Sequence, residues 1–139
     1  MTERVMTDFK QLMSLADDMR AFSHAPYSDF RVGAALVGKS GKIYTGCNIE
    51  NAAFSPTICA ERTAFAKAVS EGEKEFECIA IVGGRSGERS QKCAPCGVCR
   101  QVMSEFCGDD FKVILGTPDH FDVYTLKDLL PLTFTSKEL

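Results

Sequence analysis

No apolar run in the 139 residues approaches the roughly 20 needed for a membrane-spanning helix. The opening Met1-Thr2-Glu3-Arg4 lacks the basic-then-apolar layout of a signal peptide, so the cytoplasm is the expected location, with no membrane partner. Lys and Arg form no conspicuous cluster, and the net charge of -3 with a pI near 5.4 repels polyanions. A nucleic-acid binder usually carries a basic stripe, so a small-molecule substrate is favoured over a polynucleotide. Internal repeats, low-complexity tracts and interdomain linkers are missing too, and residues 1–139 read as a single domain able to bury a core without disulfides. Histidine is scarce: His24, beside Pro26, and His120, in an expected hairpin loop, both read as surface residues.

Cysteine is abundant by contrast, with seven in the chain. In a cytosolic protein such a count speaks for metal ligation or buried thiols rather than a disulfide framework. Cys47, Cys78 and Cys107 fall in or beside apolar runs and read as small buried hydrophobes. The chemistry concentrates in Cys59-Ala60-Glu61 and Pro95-Cys96-Gly97-Val98-Cys99. Three thiols can hold zinc and leave its fourth tetrahedral position for water, whereas structural sites are usually closed by four ligands. The carboxylate of Glu61 is the informative addition. A metal staple does not need it, but a water attacking a substrate needs a proton acceptor within reach.

Periodicity predicts the order α-β-β-α-β-α-β-β-α. Phe9, Leu12, Met13, Ala16 and Met19 recur at helical spacing and predict a first helix over about 7–22. Residues 30–37 and 42–49 read as a hairpin about Gly38-Lys39-Ser40-Gly41. A second helix is expected over about 57–71, a buried strand over 76–82, and a polar glycine-bearing loop over 83–93. Pro95 is expected to open a third helix running to about Phe106. Strands over 111–115 and 121–124 are joined too closely for a parallel crossover, and Thr125 with Asp128 signals a last short helix. The middle β-α-β-α-β stretch calls for parallel strands, so the fold class is α/β: a three-layer α/β/α sandwich around a mixed five-stranded sheet.

That layout explains how distant cysteines meet. Helices that follow parallel strands begin at one sheet edge, where sites in open α/β sheets lie. Each helix start carries about half a positive charge, which favours thiolate over thiol. Cys59 and Glu61 would diverge by about 200° in mid-helix. At a helix start both can lean past the end, which requires the second helix to begin near Thr57. Arg62, one turn from Cys59, can donate to a thiolate and restore Lewis acidity to a metal facing three sulfurs.

Four motifs then carry a resemblance over about residues 25–134. They are Ala25-Pro26-Tyr27-Ser28-Asp29-Phe30-Arg31-Val32-Gly33-Ala34-Ala35-Leu36, Gly46-Cys47-Asn48-Ile49-Glu50-Asn51-Ala52, Cys59-Ala60-Glu61-Arg62-Thr63-Ala64 and Pro95-Cys96-Gly97-Val98-Cys99-Arg100-Gln101. In these the chain resembles the small homotetrameric zinc-dependent cytidine deaminases of pyrimidine salvage. The pattern of cysteine ligands with a non-ligand Glu is the one already described for zinc deaminases. The resemblance implies zinc on Cys59, Cys96 and Cys99, and Glu61 moving protons from water to N3 and the leaving amine of cytosine. It further implies Asn48 and Glu50 at the ribose, Phe30 beside the pyrimidine, and the Ala60 N–H on the base carbonyl. Phe54 and Phe134 are implied to reach into neighbouring subunits of a homotetramer. The implied reaction is hydrolysis of cytidine and deoxycytidine to uridine and deoxyuridine.

Alternatives at this stage are a deaminase of a modified nucleoside such as an antibiotic, one acting on cytosine in nucleic acid, and an idle zinc-stapled binding module. Cys93 creates a second Cys-x-x-C with Cys96, so two ligand registers are open; the expected loop position of Cys93 favours Cys96 with Cys99.

Overall fold

Asp8 starts the first helix, its Oδ1 accepting from the N–H groups of Lys10 and Gln11 at 3.0 and 3.3 Å. In a computed structural model, which describes residues 8–88 and 91–139, helix α1 runs over Phe9–Met19 and tightens into a 3₁₀ turn over Arg20–Phe22. Thr7, the expected start, lies outside the described residues. The chain continues through β1 (Phe30–Gly38), β2 (Ile43–Cys47), α2 (Ala60–Ser70), β3 (Phe76–Arg85) and α3 (Gly97–Phe106). It ends with β4 (Lys112–Thr117), β5 (His120–Thr125), α4 (Leu126–Leu129) and a 3₁₀ turn over Ser136–Glu138. Thr125 and Asp128 form the reciprocal cap expected for α4.

The five strands form one sheet in the order β2-β1-β3-β4-β5. Strand β1 is antiparallel to both β2 and β3, β3 is parallel to β4, and β4 is antiparallel to β5. Strands β2, β3 and β4 therefore share one direction, as the β-α-β-α-β pattern requires. Because β1 lies between β2 and β3, only β3 and β4 pair directly in parallel.

Side chains alternate across the strands and divide the core in two. Ala35 and Val37 of β1, Cys78, Ala80 and Val82 of β3, and Ile114 of β4 pack under Leu12, Met13 and Ala16 of α1. Val32, Ala34, Leu36, Ile79, Ile81, Val113 and Leu115 face the opposite way, toward Ala64 and Phe65 of α2, Met103 of α3 and Leu126 of α4. The result is the expected α/β/α sandwich. Close approach is built into it at Gly46: an added Cβ would stand 2.5 Å from the Ala60 carbonyl oxygen and 2.7 Å from the Ala64 nitrogen. The missing side chain lets the start of α2 lie directly on β2.

Three differences from the expected boundaries bear on the site. Helix α2 starts at Ala60 and not near Thr57, because Ile58 pairs with Ile49 in both directions at 3.0 Å and holds the chain extended. Helix α3 starts at Gly97, with Pro95 buried ahead of it rather than opening it. Strand β3 absorbs Gly83, Gly84 and Arg85 from the expected loop, since they pair with Val32, Arg31 and Phe30.

Candidate metal centre and active site

Helices α2 and α3 follow strands of the same direction, so both begin at the sheet edge formed by the ends of β2 and β3. Strand β1 runs the other way and begins there, placing Phe30 opposite Arg85. Cys59 and Cys96 occupy equivalent positions as the N-cap residues of the two helices, with φ/ψ of -76°/156° and -69°/167°. Neither side chain caps its helix by a hydrogen bond. Cys99 lies in the first turn of α3.

The three sulfurs converge. Cys59 Sγ is 3.7 Å from Cys96 Sγ, Cys96 Sγ is 3.6 Å from Cys99 Sγ, and all three lie within 4.8 Å of one another. A tetrahedron with Zn–S bonds of about 2.3 Å has edges of about 3.8 Å, so the separations fit zinc. Cys99 is buried, Cys59 half-buried and Cys96 exposed, which leaves the cluster approachable from one side. The Cys59 thiol is drawn down to about 5, first by a hydrogen bond from Cys99 and then by one from Arg62. Cys99, holding the proton for its neighbour, is raised. Arg62 Nη2 donates to Cys59 Sγ at 3.7 Å and to the Thr57 carbonyl at 3.4 Å, which agrees with the expectation that it contacts a thiolate.

Glu61 is only 4% exposed, and burial, reinforced by the charge of Cys59, pushes its carboxyl up to about 7. A carboxyl so placed can take and return a proton near neutrality. Beginning α2 at Ala60 makes Glu61 its second residue, so the convergence of Cys59 and Glu61 survives the shifted boundary.

Cys93 is not among the converging sulfurs. It packs against β3, where an added Cβ on Gly83 would meet its Cβ at 2.8 Å, and burial pushes its thiol up to about 12. Of the two registers, the structure therefore assembles Cys96 with Cys99. Cys47 and Cys78 are buried and Cys107 half-buried; burial raises all three thiols.

Phe30 and Asn48 lie at the same edge, half-buried, and Asn48 is tied to the backbone of β1. Its Nδ2 donates to the Phe30 carbonyl at 2.8 Å and its Oδ1 accepts from the Val32 N–H at 2.9 Å. Glu50 accepts from the N–H groups of Tyr27 and Ser28 and from the Ser28 hydroxyl. Ala60 is fully buried as the first residue of α2, where amides have no partner within the helix. Phe54 (89% exposed) and Phe134 (57%) stand at the surface of the chain. The Phe134 carbonyl accepts from Gln101 Nε2 of α3 at 2.9 Å, so the final segment is docked beside the helix bearing two of the cysteines. Ser28, which contacts Glu50 here, appeared in the sequence reading only within the Ala25–Leu36 motif and was given no role there.

A three-thiol cluster at a sheet edge beside a buried carboxyl defines a zinc-dependent hydrolytic class of site. The sequence model of the cytidine and deoxycytidylate deaminase zinc-binding region matches residues 6–117, and the chain belongs to that family. It is 44% identical over 133 residues to a cytidine deaminase of Sporosarcina psychrophila, covering 95% of both chains. It is 43% identical over 134 residues to a probable cytidine deaminase of Dictyostelium discoideum, covering 95% of this chain and 87% of that one. The crystal structure of cytidine deaminase from Burkholderia pseudomallei superposes with a TM-score of 0.83 at 41% identity, covering 92% of this chain and all of that one.

Proposed function

We propose that this protein hydrolyses cytidine and deoxycytidine to uridine and deoxyuridine with release of ammonia. The observation that carries the reading is the cluster of Cys59, Cys96 and Cys99 beside the buried Glu61, whose carboxyl is pushed up to about 7 by burial. Cys59, Cys96 and Cys99 hold the zinc, which when bound supplies Lewis acidity that brings the pKa of a water toward about 7. Arg62, donating to Cys59 Sγ, draws negative charge off that sulfur.

Glu61 moves the protons. Its carboxylate takes one from the attacking water and delivers it to N3 as the C4–O bond forms. It then carries the second proton to the amine as the C4–N bond breaks, so that water and cytidine become uridine and ammonia. The first-turn N–H of Ala60 donates to the base carbonyl. Phe30 lies along the pyrimidine, and Asn48 and Glu50 address the ribose. Their support is position: the β1 start and the segment after β2 share the edge with the thiols.

We further read the chain as a single domain that works in the cytoplasm as a homotetramer, with Phe54 and Phe134 completing neighbouring sites. What supports this is that both rings stand exposed on the single chain, where a neighbouring copy can receive them. Ultraviolet monitoring of cytidine conversion tests the activity. Deamination is expected from the zinc-loaded protein, to vanish on chelation and to return with zinc. Glu61→Ala should lose at least about 10²- to 10⁴-fold in turnover. Near-normal turnover by that variant would remove Glu61 from the chemistry.

A further inference from the structure

The segment between α1 and β1 turns sharply just before Phe30. Asp29 adopts a left-handed backbone (φ 58°), a conformation a non-glycine residue holds only when its surroundings enforce it. The enforcement is visible. Asp29 N–H donates to the Ala25 carbonyl at 3.0 Å, and its carboxylate accepts from Ser86 N–H at 3.2 Å and Arg31 Nε at 3.3 Å. The turn brings the Ser28 hydroxyl back over Phe30, where it accepts from the Phe30 N–H at 2.9 Å while donating to Glu50 Oε2. The other Glu50 oxygen accepts from Tyr27 N–H at 3.0 Å and Ser28 N–H at 3.2 Å.

Phe30 is thus gripped from two sides, its N–H by Ser28 and its carbonyl by Asn48. Glu50 has three donors on its two oxygens. A carboxylate offers about four acceptor positions, so roughly one remains for a ligand, and the Ser28 hydroxyl decides where on Oε2 it points. Without that hydroxyl, Glu50 keeps two bonds to a single oxygen and can pivot about it.

We propose that Ser28 is a positioning residue for nucleoside recognition, its one hydroxyl setting the sugar-contacting carboxylate of Glu50 in register with the base-contacting Phe30. The inference rests on the reading of Glu50 as a ribose contact. It assigns Ser28 no contact with the reacting atoms; its effect belongs in substrate discrimination and not in the proton transfers of Glu61.

The test compares kcat/KM for cytidine with that for 2′,3′-dideoxycytidine, which lacks the sugar hydroxyls a carboxylate can accept from. Ser28→Ala should lower the cytidine-to-dideoxycytidine ratio about tenfold, mostly through KM, the size expected for loss of a charge-assisted hydrogen bond. Ser28→Thr, which keeps the hydroxyl, should restore the ratio. If Ser28→Ala does not fold, Ser28→Cys supplies the test with a weaker donor of similar size and should lower the ratio in the same direction. An unchanged ratio overturns the proposal, whether both substrates slow equally or neither does. Glu50→Gln, assayed on the same pair, separates the two levels. If it lowers the ratio and the Ser28 variants do not, Ser28 loses its role and Glu50 keeps its own. If it leaves the ratio intact, Glu50 does not read the sugar and both assignments fall.

Discussion

Cys93 and Cys99 have the same side chain and lie six positions apart, yet their surroundings separate them completely. Cys99 lies in the first turn of a helix within reach of two other sulfurs, whereas Cys93 is wedged over Gly83 with its thiol pushed up to about 12 by burial. Cys99→Ser should therefore lose most of the bound zinc and Cys93→Ser should keep it. Elemental analysis of the purified variants decides, and zinc loss from Cys93→Ser with retention in Cys99→Ser would reverse the register. At this scale the cysteines and Glu61 were legible because thiols three residues apart, together with an acid two residues from another thiol, have few bland explanations. Without the resemblance, Asn48 and Glu50 were legible only as polar residues. Apart from the Ser28 hydroxyl on Glu50, their observed partners are backbone atoms of Phe30, Val32, Tyr27 and Ser28, and a hydrogen bond to the main chain leaves no trace in the partner's side chain.

Among elements, the contact of α2 with β2 matters most, because the same turn of helix that touches Gly46 carries Ala60 and adjoins Cys59. Gly46→Ala drives a methyl group into backbone atoms that cannot rotate away. Overpacking of this kind costs about 1–3 kcal/mol, a melting temperature lower by roughly 5–10 °C. Calorimetry checks it, and an unaltered transition would mean that α2 is free to lift from β2. Helix and strand order were readable from periodicity, since apolar spacing follows burial. The ends were not. Helix α2 starts late because Ile58 bonds to Ile49, and β3 runs long because Gly83 and Gly84 pair with β1. Both are tertiary contacts overriding local signals: Gly83, which marks a loop in one dimension, here makes room for Cys93 and the Phe30 ring. The place of β1 between β2 and β3 was likewise hidden, as strand direction alone permits other orders.

For the molecule as a whole, the proposed homotetramer gives the exposed rings of Phe54 and Phe134 their place. Light scattering should give four times the 15.2 kDa of one chain, and a monomer at assay concentration would leave those rings without a role in neighbouring sites. The two cysteine N-caps have a different consequence. Positions normally filled by Ser, Thr, Asp or Asn hold sulfur instead, and neither makes the usual bond to its own helix. A bound cation would supply the tie between the two helix openings that no side-chain cap makes, while the sheet beneath is sealed by its own hydrocarbon. Stripping the metal should make amides 63–65 and 100–102, the first in each helix with a partner inside it, exchange with deuterium faster than in the loaded protein and before those of β1 and β3, unravelling the protein from its reactive rim inward.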